Sequence, residues 1–296
     1  MPGYRIVHRT TCRHSSPVSA AWQILHLRPR DEPHQRCLAC EIDISPSPGD
    51  LSSRTDSFGN TRHLFTLREP HREFSVASTS LVVRGEPSWP MAGLTPPFGV
   101  CPELVDAAVR EGDFGIEQFR FASSRVPLVD ATRTLTDGLD EGDPPLLAWV
   151  ERLGARFRER MAFDRTATTV STPLAEALAS GRGVCQDFAH IFISCLRGFG
   201  LPAAYVSGYL LTRPPPGQSR LLGADASHAW VSIYVPGTGW IDYDPTNHSL
   251  AGMHHIVVAR GRDYSDISPT KGIFSGGGSH SLSTAVTVEP VADPAD

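Results

Sequence analysis

The sequence predicts an α+β protein, in which an antiparallel β-domain precedes a helix packed on an antiparallel sheet. Residues 1–90 alternate polar and apolar positions in short runs separated by turn residues, which is typical of antiparallel β-structure. Residues 183–200 space their apolar positions three and four apart, which predicts a helix with one buried face. Strand-like runs then follow at 203–211, 228–235 and 240–244.

The first 90 residues form the predicted β-sandwich-like domain. Proline, glycine and aspartate cluster at 29–33, 45–50 and 56–60, where turns are expected. The strands predicted between these turns are 4–10, a run containing Ala21, Leu25 and Leu27, and the segments 35–44, 62–68 and 73–84.

The remaining chain divides into a connection, a core and a tail. Residues 91–145 are predicted to be a proline-rich linker with a short helix from 102 to 111, and residues 292–296 a disordered tail. The core spans 146–291, and loop 212–224 is where substrate selection is expected. Its further predicted elements are a helix at 146–161, a helix that Thr172 caps with Pro173 in its first position, and strands at 255–259 and 283–291 around a Gly/Ser-rich loop at 275–281.

Charge and composition narrow the classes of partner. The net charge of -5 and pI of about 6.2 indicate no basic surface for nucleic acid or anionic lipid, so we expect neither partner. No apolar run reaches the length of a membrane helix, and the first residues lack the pattern of a signal peptide. Six irregularly spaced cysteines do not form a disulfide pattern, so the sequence predicts a cytoplasmic protein.

Cys185 begins the central helix, two residues after Gly183. Free backbone N–H groups and the positive end of the helix dipole favour a thiolate in a first helical turn. A cysteine there is either a nucleophile or an ordinary small core residue. The residues downstream decide between these interpretations.

His228 begins one predicted strand and Asp244 ends the next, joined by a turn at 236–239. If the strands form a hairpin, the two side chains can face each other. A thiol, an imidazole that moves its proton and a carboxylate that orients the imidazole are the components of nucleophilic acyl transfer. Asp242 lies on the same strand face as Asp244, so these residues alone leave either carboxylate as the partner.

Metal binding is not expected. Cys37 and Cys40 lie in a predicted strand, where residues three apart point to opposite faces; Leu38, Cys40 and Ile44 would share the core face. His254 and His255 are adjacent and likewise diverge in a strand. The chain has no HExxH motif.

Several segments in order resemble the transglutaminase-like superfamily. The β-rich N-terminal part, including His8, Gln35 and 56–60, is similar to the domain that precedes the core in bacterial members. The segments that resemble the core are Gly183–His190 (GVCQDFAH), Leu201–Tyr209 (LPAAYVSGY), Ser227–Val231 (SHAWV) and Trp240–Asn247 (WIDYDPTN), flanked by 167–174 and 255–264.

This resemblance implies a papain-like transglutaminase-type core whose catalytic triad is Cys185, His228 and Asp244. It implies a thiol-dependent acyl-transfer enzyme that acts on peptide or protein amide bonds through a thioester, as a cysteine peptidase or amidase or as a transglutaminase-like protein. Water or a primary amine is then the acceptor. A non-catalytic binding module on the same scaffold is the alternative.

Four further residues are possible support for the triad. Asp187 is placed to interact with the helix dipole, and His190 is expected to face a packing neighbour. The backbone N–H of Cys185 is a candidate oxyanion donor, with Gln186 as a second. Trp230 is the fourth possible support residue. No acidic calcium loop is present, so we expect neither cofactor nor metal.

Overall fold

The computed structural model describes residues 1–211 and 227–292, and it confirms the predicted α+β fold. The whole of the predicted substrate-selecting loop at 212–224 and most of the predicted tail lie outside the described residues. The described residues form six α-helices, which are α1 (Cys101–Arg110), α2 (Arg133–Thr136), α3 (Leu146–Arg160), α4 (Leu174–Ser180), α5 (Cys185–Gly198) and α6 (Tyr264–Ile267). The strands are β1 (Gly3–Leu25), β2 (Gln35–Ser45), β3 (Asp50–Thr55), β4 (Thr61–Leu67), β5 (His71–Arg84), β6 (Ala162–Phe163), β7 (Arg182–Gly183), β8 (Ala203–Leu210), β9 (Ser227–Val235), β10 (Gly239–Asp244), β11 (Ser249–Leu250), β12 (His255–Gly261), β13 (Thr270–Gly276) and β14 (His280–Val291).

The first sheet is organised around β1, a 23-residue strand that replaces the two separate strands predicted for this region. Its first half pairs with β5 and β14, and its second half pairs with β4 and β13. Register shifts near Val18 mark the change of partners. β2 lies outside β5, and β3 lies outside β4.

The end of the chain returns to this first sheet. β13 and β14 both pair with β1, so residues 270–291 are separated from the sheet formed by the rest of the predicted 146–291 core. Val286 and Val288 of β14 are buried beside β1. Alternation in a sequence indicates that a strand has a buried face, but it does not identify the strand that pairs with it.

Three local predictions differ from the structure. β3 was not predicted because all six of its residues are exposed and carry no apolar alternation. Leu38 is 44% exposed, not in the core, because a register shift between Cys37 and Ala39 reverses the side-chain alternation and buries Cys37. α4 begins at Leu174 with Pro173 as its N-cap, and no side chain caps it.

The second sheet has the strand order β11-β10-β9-β8-β12 and is antiparallel throughout. Helix α5 packs on β8 and β9 through a buried face that includes Phe188 and Phe192. Tyr4 and Ile6 of β1 belong to the same hydrophobic cluster as these residues, so the two sheets share one core. Within the described residues, no helix is long and apolar enough to cross a membrane.

Two side-chain amides cover the outer edge of β12. The Gln35 amide donates to the carbonyl of Val257 (2.7 Å) and accepts from its N–H (2.9 Å). Asn60 makes the same pair of bonds with the backbone of Arg260, each 2.8 Å long. Each amide therefore replaces a neighbouring strand, and together they join the first sheet to the second.

We expect Gln35→Ala to destabilise the fold. The substitution leaves the buried N–H of Val257 without a partner, while its C=O keeps only the N–H of Arg30 at 3.2 Å, and this costs about 2 kcal/mol of unfolding free energy. Urea denaturation measures the loss. Gln118→Ala, which removes a solvent-exposed bond to Gly115, is the control and should change stability little. Equal stabilities of the two variants would contradict a structural role for the Gln35 amide.

Candidate functional site

Cys185 is the first residue of α5, as the glycine and apolar pattern predicted, and its side chain is half-buried. The carboxylate of Asp187 fixes this helix start by accepting from the N–H of Val184 (2.9 Å) and from the hydroxyl of Thr168 (2.6 Å). A Cβ at Gly183 would lie 2.8 Å from the same carboxylate. Glycine is therefore required where the chain enters α5, and Asp187 supports the helix start.

His228 and Asp244 lie on neighbouring strands of the second sheet, β9 and β10. The imidazole Nε2 of His228 lies 2.7 Å from Oδ2 of Asp244, a charge-assisted hydrogen bond at a site where the carboxylate is completely buried. Because Nε2 is engaged by Asp244, Nδ1 is the ring nitrogen available to the Cys185 sulfur. The structure thus brings the three predicted residues together with the imidazole in the middle.

Asp244 receives more donors than the hairpin alone predicts. Its Oδ1 accepts the backbone N–H groups of Thr246 (2.9 Å) and Asn247 (3.1 Å), and its Oδ2 also accepts the Asn247 side chain at 2.6 Å. Burial raises the pKa of Asp244, but these bonds and the histidines outweigh burial and hold the pKa well below its usual range. The carboxylate is therefore ionised.

The electrostatics of His228 follow from its two partners. Burial lowers its pKa, but hydrogen bonds with Asp244 and Cys185, and the negative charges of both, together raise the pKa to about 10. A group with a raised pKa keeps its proton below that pKa. The imidazole is therefore positively charged at neutral pH and faces the Cys185 sulfur.

The structure also shows which of Asp242 and Asp244 is the partner of the His228 imidazole, a choice that the residues alone left open. Asp242 is held by two bonds from the Arg260 guanidinium (2.8 and 3.0 Å) and one from the indole N–H of Trp230 (3.0 Å). It is therefore part of a buried ion pair away from the imidazole. The indole of Trp230 has room here because residue 208 is glycine; a Cβ at that position would lie 2.4 Å from the ring. Trp230 supports the site through Asp242.

His255 is a component of the site that sequence reasoning missed. Its Nδ1 accepts the N–H of Gly252 (3.2 Å), so the ring proton is on Nε2, which donates to Oδ2 of Asp244 at 3.1 Å. Residues 255–259 are all buried, so the pattern of β12 gave no signal that singled out His255. His255 bonds the same carboxylate oxygen as His228.

The imidazoles of His228 and His255 and the carboxylate of Asp244 lie close enough to surround a metal ion, since their ligand atoms are all within 4.8 Å of one another. A metal would need both Nε2 atoms without protons. Here Gly252 fixes a proton on Nε2 of His255, and His228 is protonated. The three residues therefore fit a hydrogen-bonded cluster better than a metal site.

The other two predicted support residues lie beside the cleft. Nε2 of His190 accepts the N–H of Tyr264 (3.2 Å), and its ring packs on Tyr205 with centroids 4.9 Å apart. Burial lowers the pKa of His190 to about 4, so this ring is neutral and positions the cleft wall. Gln186 lines the cleft, and its side-chain amide donates a long bond (3.4 Å) to the carbonyl of Val170.

A cleft of about 290 Å³ opens in front of Cys185, between the two sheets. One wall comes from α5, β8 and β9, and the other from β1 and β14. The described lining residues include no Asp, Glu, Lys or Arg. They are His8, Thr10, Val170, Val184, Cys185, Gln186, Tyr205, Ser207, Ser227, His228, Ala229, Tyr264, Pro269, Thr270, Leu282 and Thr284.

Thiol reactivity across pH tests the charge arrangement. In the wild type, the charged His228 should keep Cys185 reactive toward iodoacetamide below neutral pH. Asp244→Asn removes the charge that offsets burial of His228, so its pKa should fall and the rate near pH 6 should drop about tenfold. Peptide mass spectrometry from about pH 5 to pH 9 measures labelling at Cys185. Identical pH profiles for the two proteins would contradict this arrangement.

A second pair of variants tests His255. His255→Phe removes one donor from Asp244, and we expect Cys185 labelling at neutral pH to slow several-fold with a shifted pH profile. His255→Gln retains a donor and should recover part of the rate. Thermal unfolding of both variants controls for loss of structure. If folded His255→Phe labels like the wild type across pH, the remaining donors of Asp244 suffice without His255.

Comparisons with known proteins identify the family and the fold of this chain. Residues 4–83 match the family model described as the bacterial transglutaminase-like N-terminal region, and residues 133–245 match that of the transglutaminase-like superfamily. The crystal structure of a candidate cysteine protease from Cytophaga hutchinsonii superposes with a TM-score of 0.75, covering 99% of this chain and 91% of that one. At 18% identity, this likeness shows that the fold is shared.

Sequence relatives extend the comparison along the chain. The uncharacterized protein Rv2569c of Mycobacterium tuberculosis is 39% identical over 277 residues, covering 92% of this chain and 87% of that protein. The uncharacterized protein ML0607 of Mycobacterium leprae is 31% identical, covering 97% and 99%. A protein-glutamine gamma-glutamyltransferase of Pseudomonas aeruginosa is 37% identical over 118 residues, 38% of this chain and 18% of that protein. The chain belongs to the transglutaminase-like superfamily and carries the bacterial N-terminal region of that family.

Proposed function

We propose that this protein is a thiol-dependent acyl-transfer enzyme that acts on peptide or protein amide bonds. In this proposal Cys185 is the nucleophile, His228 transfers protons and Asp244 orients and charges the imidazole. The observation that carries the proposal is the placement of His228 between the Cys185 sulfur and the buried Asp244 carboxylate, with a 2.7 Å bond to the latter. This is the arrangement that nucleophilic catalysis by a thiol requires.

The first half-reaction follows from this geometry. The Cys185 thiolate attacks the carbonyl carbon, and the electron pair of the C=O bond moves to oxygen. The backbone N–H of Cys185, at the start of α5, is a donor for that oxyanion. As the C–N bond breaks, the leaving nitrogen takes the proton of His228, and a thioester remains on Cys185.

The acceptor completes the cycle. The now neutral His228 removes a proton from water, which attacks the thioester and releases an acid as the thiolate leaves. This is the outcome for a peptidase or amidase. A primary amine that attacks the same thioester would instead give a new amide. The matched segment of the Pseudomonas aeruginosa glutamyltransferase favours keeping this second outcome in the proposal.

The lining of the cleft supports an uncharged acyl donor. Its described residues carry hydroxyl, amide, aromatic and aliphatic groups, and its charged imidazole, that of His228, is already paired with Asp244. A peptide segment offers carbonyl oxygens for the hydroxyl groups and side chains for Val170, Val184 and Leu282. A charged donor would lose its hydration here without gaining an ion pair.

A non-catalytic binding module is the alternative. A buried carboxylate with five donors, two of them histidines, is a costly arrangement for a surface that only binds. We further propose that no cofactor takes part and that neither nucleic acid nor membrane is a partner. All six cysteines are free thiols, Cys37 and Cys40 included, which supports the proposed cytoplasmic location.

The test combines trapping of the thioester with product analysis. A peptide library incubated with the wild-type protein should give an acyl group on Cys185, seen by mass spectrometry of the digested protein. Cys185→Ala should abolish turnover, and Asp244→Asn should lower kcat by about two orders of magnitude. Cys40→Ser, which removes a cysteine of the first sheet, is the matched control and should retain activity.

The acceptor is decided in the same assay by adding a fluorescent primary amine. Acid products in its absence and presence indicate a peptidase or amidase, and amine-containing products indicate a transglutaminase-like enzyme. Excess EDTA should leave either activity unchanged. The absence of any adduct on Cys185, with products unaffected by Cys185→Ala, would exclude the proposed chemistry.

A further inference from the structure

A row of side chains on the first sheet changes from apolar to polar where it reaches the cleft. On β1, Tyr4 and Ile6 belong to the shared core, and His8 and Thr10 continue the same face, each 1% exposed. On β14, Val288 and Val286 are buried and Thr284 follows them, paired across the strands with Thr10. Since burying polar groups without a purpose costs stability, the change at the cleft calls for a specific role.

These polar residues form one hydrogen-bonded chain that runs from the core to the cleft. The hydroxyl of Tyr209 lies 3.0 Å from Nδ1 of His8, and Nε2 of His8 lies 2.9 Å from the hydroxyl of Thr10. The Thr10 hydroxyl lies 3.4 Å from that of Thr284. Tyr209 is 3% exposed at the inner end, whereas Thr284 is exposed at the outer end.

The inner end fixes the direction in which the protons point. Within the described chain, His8 is the hydrogen-bond partner of the Tyr209 hydroxyl, so the phenol proton must go to Nδ1 or remain buried without an acceptor. Donation by Tyr209 leaves the His8 proton on Nε2, which donates to Thr10. Thr10 can then donate to Thr284, which leaves the proton of Thr284 free for an acceptor in the cleft.

The side chains of this hydrogen-bonded chain are all neutral. Burial lowers the pKa of His8 to about 4, so the ring carries one proton at neutral pH, as the chain requires. Burial also raises the pKa of Tyr209, which keeps its phenol protonated. Leu282, two residues from Thr284 on the same face of β14, is 57% exposed and also lines the cleft. An outward hydroxyl donor beside an apolar side chain suits a peptide unit.

We infer that the Thr284 hydroxyl is a substrate-binding donor that takes a backbone carbonyl oxygen of the acyl donor, and that Tyr209, His8 and Thr10 are positioning residues that keep its proton directed into the cleft. The first sheet would then supply a binding subsite opposite Cys185. This inference rests on the proposed function for its ligand, a peptide.

The test uses covalent inactivation, which needs a reactive Cys185 but no turnover. An N-acyl dipeptidyl chloromethyl ketone carries backbone carbonyls, whereas iodoacetamide is too small to extend along the cleft. For Thr284→Val, we expect the inhibition constant KI of the chloromethyl ketone to rise about threefold to tenfold, the loss of one neutral hydrogen bond, with kinact unchanged. Its iodoacetamide rate should equal that of the wild type. Thr284→Ser keeps the hydroxyl and should retain the wild-type KI.

Two further measurements address the positioning residues. Nitrogen-15 NMR of the imidazoles should show His8 protonated on Nε2 near neutral pH, and the opposite tautomer would overturn the inferred direction. Tyr209→Phe removes the donor to Nδ1 without contacting the cleft, and it should raise KI while leaving the iodoacetamide rate unchanged. An unchanged KI in folded Thr284→Val would overturn the subsite. Loss of iodoacetamide labelling in the wild type would instead count against the proposed nucleophile.

Discussion

The structure around the site depends on a single buried charge. Asp244 is fully buried and ionised, and such a carboxylate is tolerated only when donors occupy its oxygens. Two donors come from the backbone after β10, one from Asn247, and two from histidines on β9 and β12. His228 comes from β9, the strand next to β10, whereas His255 reaches Asp244 from β12, which β9 and β8 separate from β10 in the strand order. The charge on His228 follows from that arrangement.

The first sheet is part of the same construction. Gln35 and Asn60 hydrogen-bond the outer edge of β12, the strand that carries His255. The Arg260 guanidinium donates to both Glu32 and Asp242. Tyr4 and Ile6 extend the core of the second sheet into β1. Because these contacts fix β1 and β14 against the second sheet, the cleft has a wall on each side of Cys185. The N-terminal region and the last strand therefore contribute to the shape and polarity of the cleft.

Membership in the transglutaminase-like superfamily gives this arrangement a chemical context, and the structure adds detail specific to this chain. A second histidine on Asp244 adds a donor, which makes the position of this carboxylate less dependent on one hydrogen bond. The hydroxyl chain from Tyr209 to Thr284 gives the opposite wall a defined polarity. The hydroxyl chain is neutral, and the charges of Asp244 and His228 compensate each other. The described cleft lining therefore has no unpaired charged side chain.

The sequence by itself predicted the local elements and the candidate reacting groups. Apolar spacing predicted α5 and placed Cys185 at its start, alternation predicted β8, β9 and β10, and residue chemistry selected Cys185 and His228. Asp244 could be chosen over Asp242 only through the family resemblance, and the structure gives the reason in the Arg260 pair. Tertiary structure alone decided that β13 and β14 pair with β1 and that Gln35 and Asn60 hydrogen-bond the edge of β12. It also decided that His255 bonds Asp244 and that Thr284 lines the cleft. Periodicity reports which face of an element is buried, but the identity of the group buried against it depends on contacts between residues far apart in the chain.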